Sequence, residues 1–330
     1  MKRIYLVAAT LLALPMAASA QSLTAAGIAD NFTLDTFFTG NLGNGGSYGI
    51  LNAVAASDGS IIATGYGNQT LLRFNEGSGN TVNGLTAGSA TTTVNLGFTP
   101  TGIATSGGTT YFTGLSTGIF QVTNNATLAN TQVVGTGTIN PQYGLWAGPG
   151  GTLIAGTSSG AYLIDPAASF AITAIGTPGF VDGVSVSPDG TKAYVEYGGD
   201  ILAYNIASPT PGTPTATYSF GHAPDGTGVI SGGALDGDLI ISNNDGTIAL
   251  LDPSSNAYTI IATGMSRGDL VSPDSNNGTL LVSDIGQVLR LGITGGTIGA
   301  TDTPEPASMT LLGGALLGLG ALRRKFHKQA

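Results

Sequence analysis

Outside the carboxy-terminal 27 residues the chain carries a single histidine, His222, in Gly221-His222-Ala223-Pro224. One imidazole can serve as a base, but it needs a nucleophile to activate. Two segments match the G-x-S-x-G nucleophile pattern: Gly114-Leu115-Ser116-Thr117-Gly118 and Gly156-Thr157-Ser158-Ser159-Gly160. That pattern works when the serine stands on a sharp turn from strand to helix beside a histidine. Both segments read instead as hairpin turns between strands, so no catalytic residue is assigned. Asn243, Asn244 and Asp245 before Gly246 group hard oxygen donors suited to Ca2+, the one cofactor the sequence raises. The twelve-residue loop ending in Glu is missing, which favours an Asn/Asp-Gly hairpin there and leaves any metal site unknown. Gly43-Asn44-Gly45-Gly46 lacks the Lys and the following helix of a phosphate loop. There is no Cys, which excludes disulfides, thiolate metal sites and a Cys nucleophile.

The elements that must hold such residues come from an internal repeat. A Gly leading an apolar strand recurs as Gly49-Ile50, Gly102-Ile103, Gly144-Leu145, Gly183-Val184, Gly228-Val229 and Gly268-Asp269-Leu270. A Gly-based turn follows most of these, as in Ser57-Asp58-Gly59 and Pro188-Asp189-Gly190, and then come a second, a third and a more polar fourth strand. Four antiparallel strands about every 44 residues are the arithmetic of a β-propeller blade. Six copies predict an all-β, six-bladed propeller over residues 21–303; a seven-bladed ring, a β-sandwich and a β-solenoid are the alternatives. The sixth unit lacks a clear fourth strand. Residues 32–38, which belong to no unit, are expected to pair with it and close the ring, leaving no open sheet edge.

Closure would gather the residues just before the recurring glycines around one mouth of the central channel. These are Tyr48, Thr101, Tyr143, Asp182, Thr227 and Arg267, and they form the candidate ligand site. Tyr, Asp and Arg there could stack on and hydrogen-bond a sugar. Trp146, the only tryptophan, reads as core or channel packing.

Composition narrows the class further. The chain has 53 Gly, and charged residues make up only 9% of its 330 positions, too few helix-stabilising Glu, Lys and Arg for a helical enzyme. Between residues 21 and 303, 18 acidic side chains face only Arg73, Lys192, Arg267 and Arg290, a balance of -14. Such a segment has no basic patch to release counterions from phosphates, which excludes nucleic acid as a partner.

The two ends read as addresses. Lys2 and Arg3 precede an apolar run to Met16, and Ala18-Ser19-Ala20 supplies the small-x-small pattern that signal peptidase reads, so residues 1–20 are a predicted signal peptide. At the other end Pro304-Glu305-Pro306 precedes an uncharged run from Ala307 to Leu322, followed by Arg323-Arg324-Lys325. Sixteen residues at 1.5 Å rise make roughly 24 Å of helix, a little short of the ~30 Å bilayer core. The cationic cluster should stay cytoplasmic, with everything before Pro304 beyond the inner membrane. This order resembles the PEP-CTERM sorting signal. The resemblance implies processing of residues 304–330 by an exosortase-type membrane peptidase, and association with exopolysaccharide and biofilm matrix. Pro100-Thr101-Gly102-Ile103-Ala104 and Ser187-Pro188-Asp189-Gly190, within a likeness spanning residues 49–293, are similar to phrases of NHL-repeat, streptogramin-lyase and gluconolactonase-type propellers. Lyase resemblance implies a histidine and an acidic metal site at the propeller centre, for which His222 is the only histidine available. The expected protein is an exported, surface- or matrix-associated, non-enzymatic propeller. An extracellular hydrolase or lyase and a carbohydrate-binding module are the alternatives.

Overall fold

The computed structural model describes residues 21–39, 49–76, 82–83, 90–135, 137, 139–176, 179–207, 212–285 and 287–299. The predicted signal peptide, Tyr48, the sorting motif and its cationic cluster lie outside these residues. Among the described residues no helix is long and apolar enough to cross a membrane.

Six antiparallel sheets follow one another along the chain, so the all-β, six-bladed propeller is the fold. Blade 1 comprises Ile50–Ala55, Ser60–Gly65, Thr70–Asn75 and Thr92–Asn95. Blade 2 is built from Pro100–Ser106, Thr109–Gly114, Gly118–Asn124 and Ala129–Gly135. Pro141–Ala147, Leu153–Thr157, Gly160–Asp165 and Ala171–Gly176 make blade 3. In blade 4 the strands are Val184–Val186, Lys192–Tyr197, Asp200–Asn205 and Ala216–Ser219. Blade 5 takes Pro224–Val229, Leu239–Asn243, Ile248–Asp252 and Ala257–Thr263, with Ser22–Leu23 added outside. Blade 6 has Gly268–Asp274, Thr279–Asp284 and Gln287–Ile293, and its fourth strand is Phe32–Thr39 from the other end of the chain, registered from Phe32 opposite Ile293 to Thr39 opposite Gln287.

This exchange closes the ring. An apolar cluster fills each of the six gaps between neighbouring blades, the last joining Phe37 and Phe38 of the closing strand to Ile50, Ile61 and Phe74 of blade 1. Phe38 is fully buried, with its ring centroid 5.2 Å from that of Phe74. Arg290 on blade 6 bridges the same seam, reaching Glu76 at 2.6 Å and the buried Asp274 at 2.8 Å while lying 4.7 Å over the Phe37 ring.

Around the channel the first strands pack edge against edge, which explains the recurring glycines. A Cβ on Gly102 would overlap the Tyr143 carbonyl of blade 3, and one on Gly144 the Asp182 carbonyl of blade 4. Hydroxyls tie neighbouring blades together around the channel. Thr64 donates to the Thr101 carbonyl at 2.6 Å, Thr101 to the Gln142 carbonyl at 2.6 Å, and Ser272 to Asn52 Oδ1 at 2.8 Å. Trp146 is 7% exposed in the cluster between blades 3 and 4, and its ring edge comes 3.6 Å from where a Cβ on Gly228 would sit. The indole therefore reaches across toward blade 5 and lines the concavity at the far end of the first strands.

Candidate functional site: a half-aromatic, half-acidic mouth

One mouth is where the first strands begin and the second strands end. Strand pairing fixes which residues are equivalent there. Ile103 faces Phe112, Leu145 faces Ala155, Val184 faces Val195, Thr227 faces Ile241 and Val271 faces Val282. Two residues earlier on each first strand stand Thr101, Tyr143, Asp182, Asp225 and Asp269. Blades 4, 5 and 6 thus each place an aspartate at the same point of the ring.

Of the sequence-derived ligand residues, Tyr143, Asp182 and Arg267 meet at this mouth. Thr101 is fully buried and bonded between strands, so it faces no opening. Thr227 sits two residues beyond the ring position, with its hydroxyl 2.9 Å from that of Ser185 in the gap between blades 4 and 5. Asp225 and Asp269 stand where Thr227 and Arg267 were expected. Glu196, on the second strand of blade 4, is not among the sequence-derived residues; its only signal is an acidic residue directly after the apolar run Ala193-Tyr194-Val195.

The acidic half is held by one guanidinium. Arg267 Nη2 lies 2.7 Å from Asp225 Oδ2 and 4.0 Å from Asp269 Oδ1, and Nε donates to Asn244 Oδ1 at 2.7 Å. The Asp284 carboxylate, fully buried, fixes the loop that carries this arginine: it accepts from the Arg267 amide at 3.0 Å, the Ser266 amide at 3.2 Å and Gln287 Nε2 at 2.6 Å. Glu196, 7% exposed, accepts from the Gly183 amide at 3.1 Å. One cation faces four carboxyl groups here, and burial penalises each charge. Burial first, then the Asp225 charge, pushes the Asp182 carboxyl up to about 8, against the lowering effect of Arg267. Burial followed by the Asp182 charge drives Glu196 well above the ordinary range, and burial followed by the Asp225 charge does the same for Asp269. Burial and crowding thus favour the protonated form at Asp182, Glu196 and Asp269, and a protonated carboxyl can donate a hydrogen bond as well as accept one.

The other half is aromatic. Tyr66 of blade 1 and Tyr143 of blade 3 have ring centroids 6.3 Å apart, and Phe180 before blade 4 lies edge-on to Tyr143 at 6.0 Å. Tyr197 packs beside Gly179. Phe180 and Tyr197, 48% and 39% exposed, are two of the three large apolar side chains on the described surface. Phe180 lies two residues before Asp182, and Tyr197 directly follows Glu196.

The other candidate residues are tied up in turns. Ser116 and Ser158 lie in hairpins between second and third strands; Thr117 N donates to the Gly114 carbonyl at 2.8 Å, and Asn140 Nδ2 donates to Ser158 Oγ at 3.1 Å. His222 Nδ1 is 2.8 Å from Asp245 Oδ2 and stacks on Tyr258 at 5.5 Å. The grouped donors Asn243, Asn244 and Asp245 diverge. Asn243 donates to Tyr258 at 2.9 Å, Asn244 accepts from Arg267, and Asp245 accepts from Thr247 Oγ1 at 2.6 Å.

Residues 302–325 match the PEP-CTERM protein-sorting motif. The chain carries an export and sorting signal. That motif supports a membrane-anchored carboxy-terminal signal and processing by an exosortase-type peptidase. No curated protein sequence matches the chain. Solved structures do. A gluconolactonase from Xanthomonas campestris superposes with TM-score 0.63 at 14% identity, covering 83% of this chain and 94% of its own. A calcium-binding protein, regucalcin, from Agrobacterium tumefaciens gives 0.57 at 16%, covering 80% and 96%. A streptogramin B lyase gives 0.52 at 13%, covering 80% and 98%. At these identities the likeness establishes the propeller fold.

At the mouth of this chain the Arg267 guanidinium pairs with Asp225 and lies near Asp269. Among the described residues no three Asp, Glu or His side chains are grouped to hold a metal ion.

Proposed function

We propose that this exported propeller is an envelope or matrix component that binds a hydroxyl-rich ligand, a carbohydrate of the exopolysaccharide class, at the half-aromatic mouth without turning it over. The observation that carries this reading is the juxtaposition of the Tyr66-Tyr143-Phe180 row with the Asp182, Glu196 and Arg267 cluster. Aromatic faces cover the C–H surface of a sugar ring, while carboxyl and guanidinium groups take its hydroxyls. A binding role also suits the pairing of Arg267 with Asp225 and of Glu196 with the Gly183 amide, because these groups brace one another. Export begins with signal peptidase at Ala20 and ends with exosortase processing near Pro304-Glu305-Pro306, which leaves residues 21–303 at the surface or in the matrix.

One observation favours a second reading. A carboxyl near pH 8, as at Asp182, is poised for general acid–base chemistry on a lactone or glycosidic bond. Purified residues 21–303 separate the two when mixed with glycans and lactones, with and without divalent ions, while retention and product release are both followed. Retention without product supports the binding role. Product formation that disappears in Asp182→Asn overturns it.

A further inference from the structure

The described chain leaves the propeller at the mouth opposite the aromatic and acidic residues. Ile298 is buried there; its amide donates to the Gly278 carbonyl at 2.8 Å, and its carbonyl accepts from Ser231 N at 2.9 Å. Gly278 and Ser231 both lie in connections between first and second strands, which all open on that face. Thr297 lines a concavity of about 740 Å³ there, together with Trp146, Pro149, Pro188 and Ser231. At the other end of the chain Ser22 pairs with Thr263, so the two described termini emerge on opposite faces.

From Gly299 to Ala307, where the uncharged run begins, there are eight Cα steps, at most about 28 Å of extended chain. A propeller turned with its aromatic mouth toward lipid would need more. From Thr279 on the second strand of blade 6 the connector would first cross two strands outward, about 10 Å at ~4.8 Å each, then descend a seven-residue strand, about 23 Å at ~3.3 Å per residue. The path totals about 33 Å.

We propose that, while the sorting tail is anchored, the propeller is held with the Trp146-floored concavity toward the membrane and the half-aromatic mouth directed away from it. The ligand site is then open to the exterior before the tail is processed, and cleavage changes attachment without exposing the site. This orientation follows from the tether and the fold, and holds whatever the mouth binds.

The absence of cysteine makes the test direct. Ala223→Cys and Ala234→Cys place donor dyes on exposed alanines at opposite faces of blade 5; Ser158→Cys and Pro149→Cys repeat the comparison on blade 3. The full chain is reconstituted in phosphatidylcholine vesicles with acceptor-labelled headgroups in both leaflets, and vesicle flotation is read on the same samples. Energy transfer at least twofold higher from positions 234 and 149 than from 223 and 158 is expected. Equal transfer from the two faces, the reverse order, or failure of the labelled chains to float overturns the proposal. Loss of glycan retention in a separate assay would leave this result untouched.

Discussion

Replacing Asp182 by Asn removes one carboxyl from a cluster in which several share a single guanidinium. In the folded chain that carboxyl is pushed from 3.8 to about 8, chiefly by burial and then by the Asp225 charge. A raised folded value means that the folded state keeps a proton the unfolded chain has lost. The contribution to stability is therefore fully present below about pH 4 and is lost as the pH climbs toward 8. Four units at ~1.4 kcal/mol each come to roughly 6 kcal/mol, an upper bound because Arg267 and Asp225 readjust when one charge disappears. About 2 kcal/mol of pH-dependent loss between pH 5 and 8.5 should belong to Asp182 itself. At about 2 °C per kcal/mol in a domain of this size, the D182N midpoint should rise relative to wild type by about 4 °C more at pH 8.5 than at pH 5. Thermal melts followed by fluorescence of the single buried Trp146 provide the readout. An unchanged pH slope, or a D182N protein no more stable than wild type at pH 8.5, would refute the picture of a desolvated, mutually repelling cluster.

Three further expectations concern the ring. Arg290→Ala leaves the fully buried Asp274 without its cation at the seam between blades 6 and 1, and calorimetry should show a loss of about 3 kcal/mol. Phe38→Ala empties a fully buried site on the closing strand; denaturant unfolding should show about 3–5 kcal/mol lost, with no change if Phe32–Thr39 were dispensable for closure. Gly144→Ala drives a methyl into the Asp182 carbonyl, so the first strands of blades 3 and 4 must separate; a melting point within 2 °C of wild type would contradict the edge-to-edge packing.

The fold was legible in the sequence because the channel imposes glycine. First strands approach so closely at Gly102, Gly144, Gly183 and Gly226 that a side chain has no room, and that demand recurs in blades 2 to 5. The ring register was less legible in the later blades. Blade 5 offers both Gly226 and Gly228, and blade 6 has Gly268 but Leu270 at the equivalent place. A two-residue slip along a strand keeps the same alternation of faces, so periodicity cannot tell these choices apart. Hydrogen-bond pairing can, and it turns Asp182 into one of three equivalent aspartates. Tyr143 was legible from the repeat, and Glu196 left only its acidic side chain beside an apolar run; the joining of Tyr143 to Tyr66 and Phe180 comes through contacts between segments distant in sequence, which nothing local marks.

The claim that the half-aromatic mouth is a carbohydrate site stands on the affinity of residues 21–303 for an exopolysaccharide oligosaccharide, titrated calorimetrically beside Phe180→Ala and, from the opposite face, Pro188→Ala. An aromatic contact worth about 0.5–1.5 kcal/mol predicts a roughly 2- to 12-fold weaker Kd for Phe180→Ala and an unchanged Kd for Pro188→Ala. Equal affinity for all three proteins, or weakening only in Pro188→Ala, would place the ligand elsewhere and contradict the account.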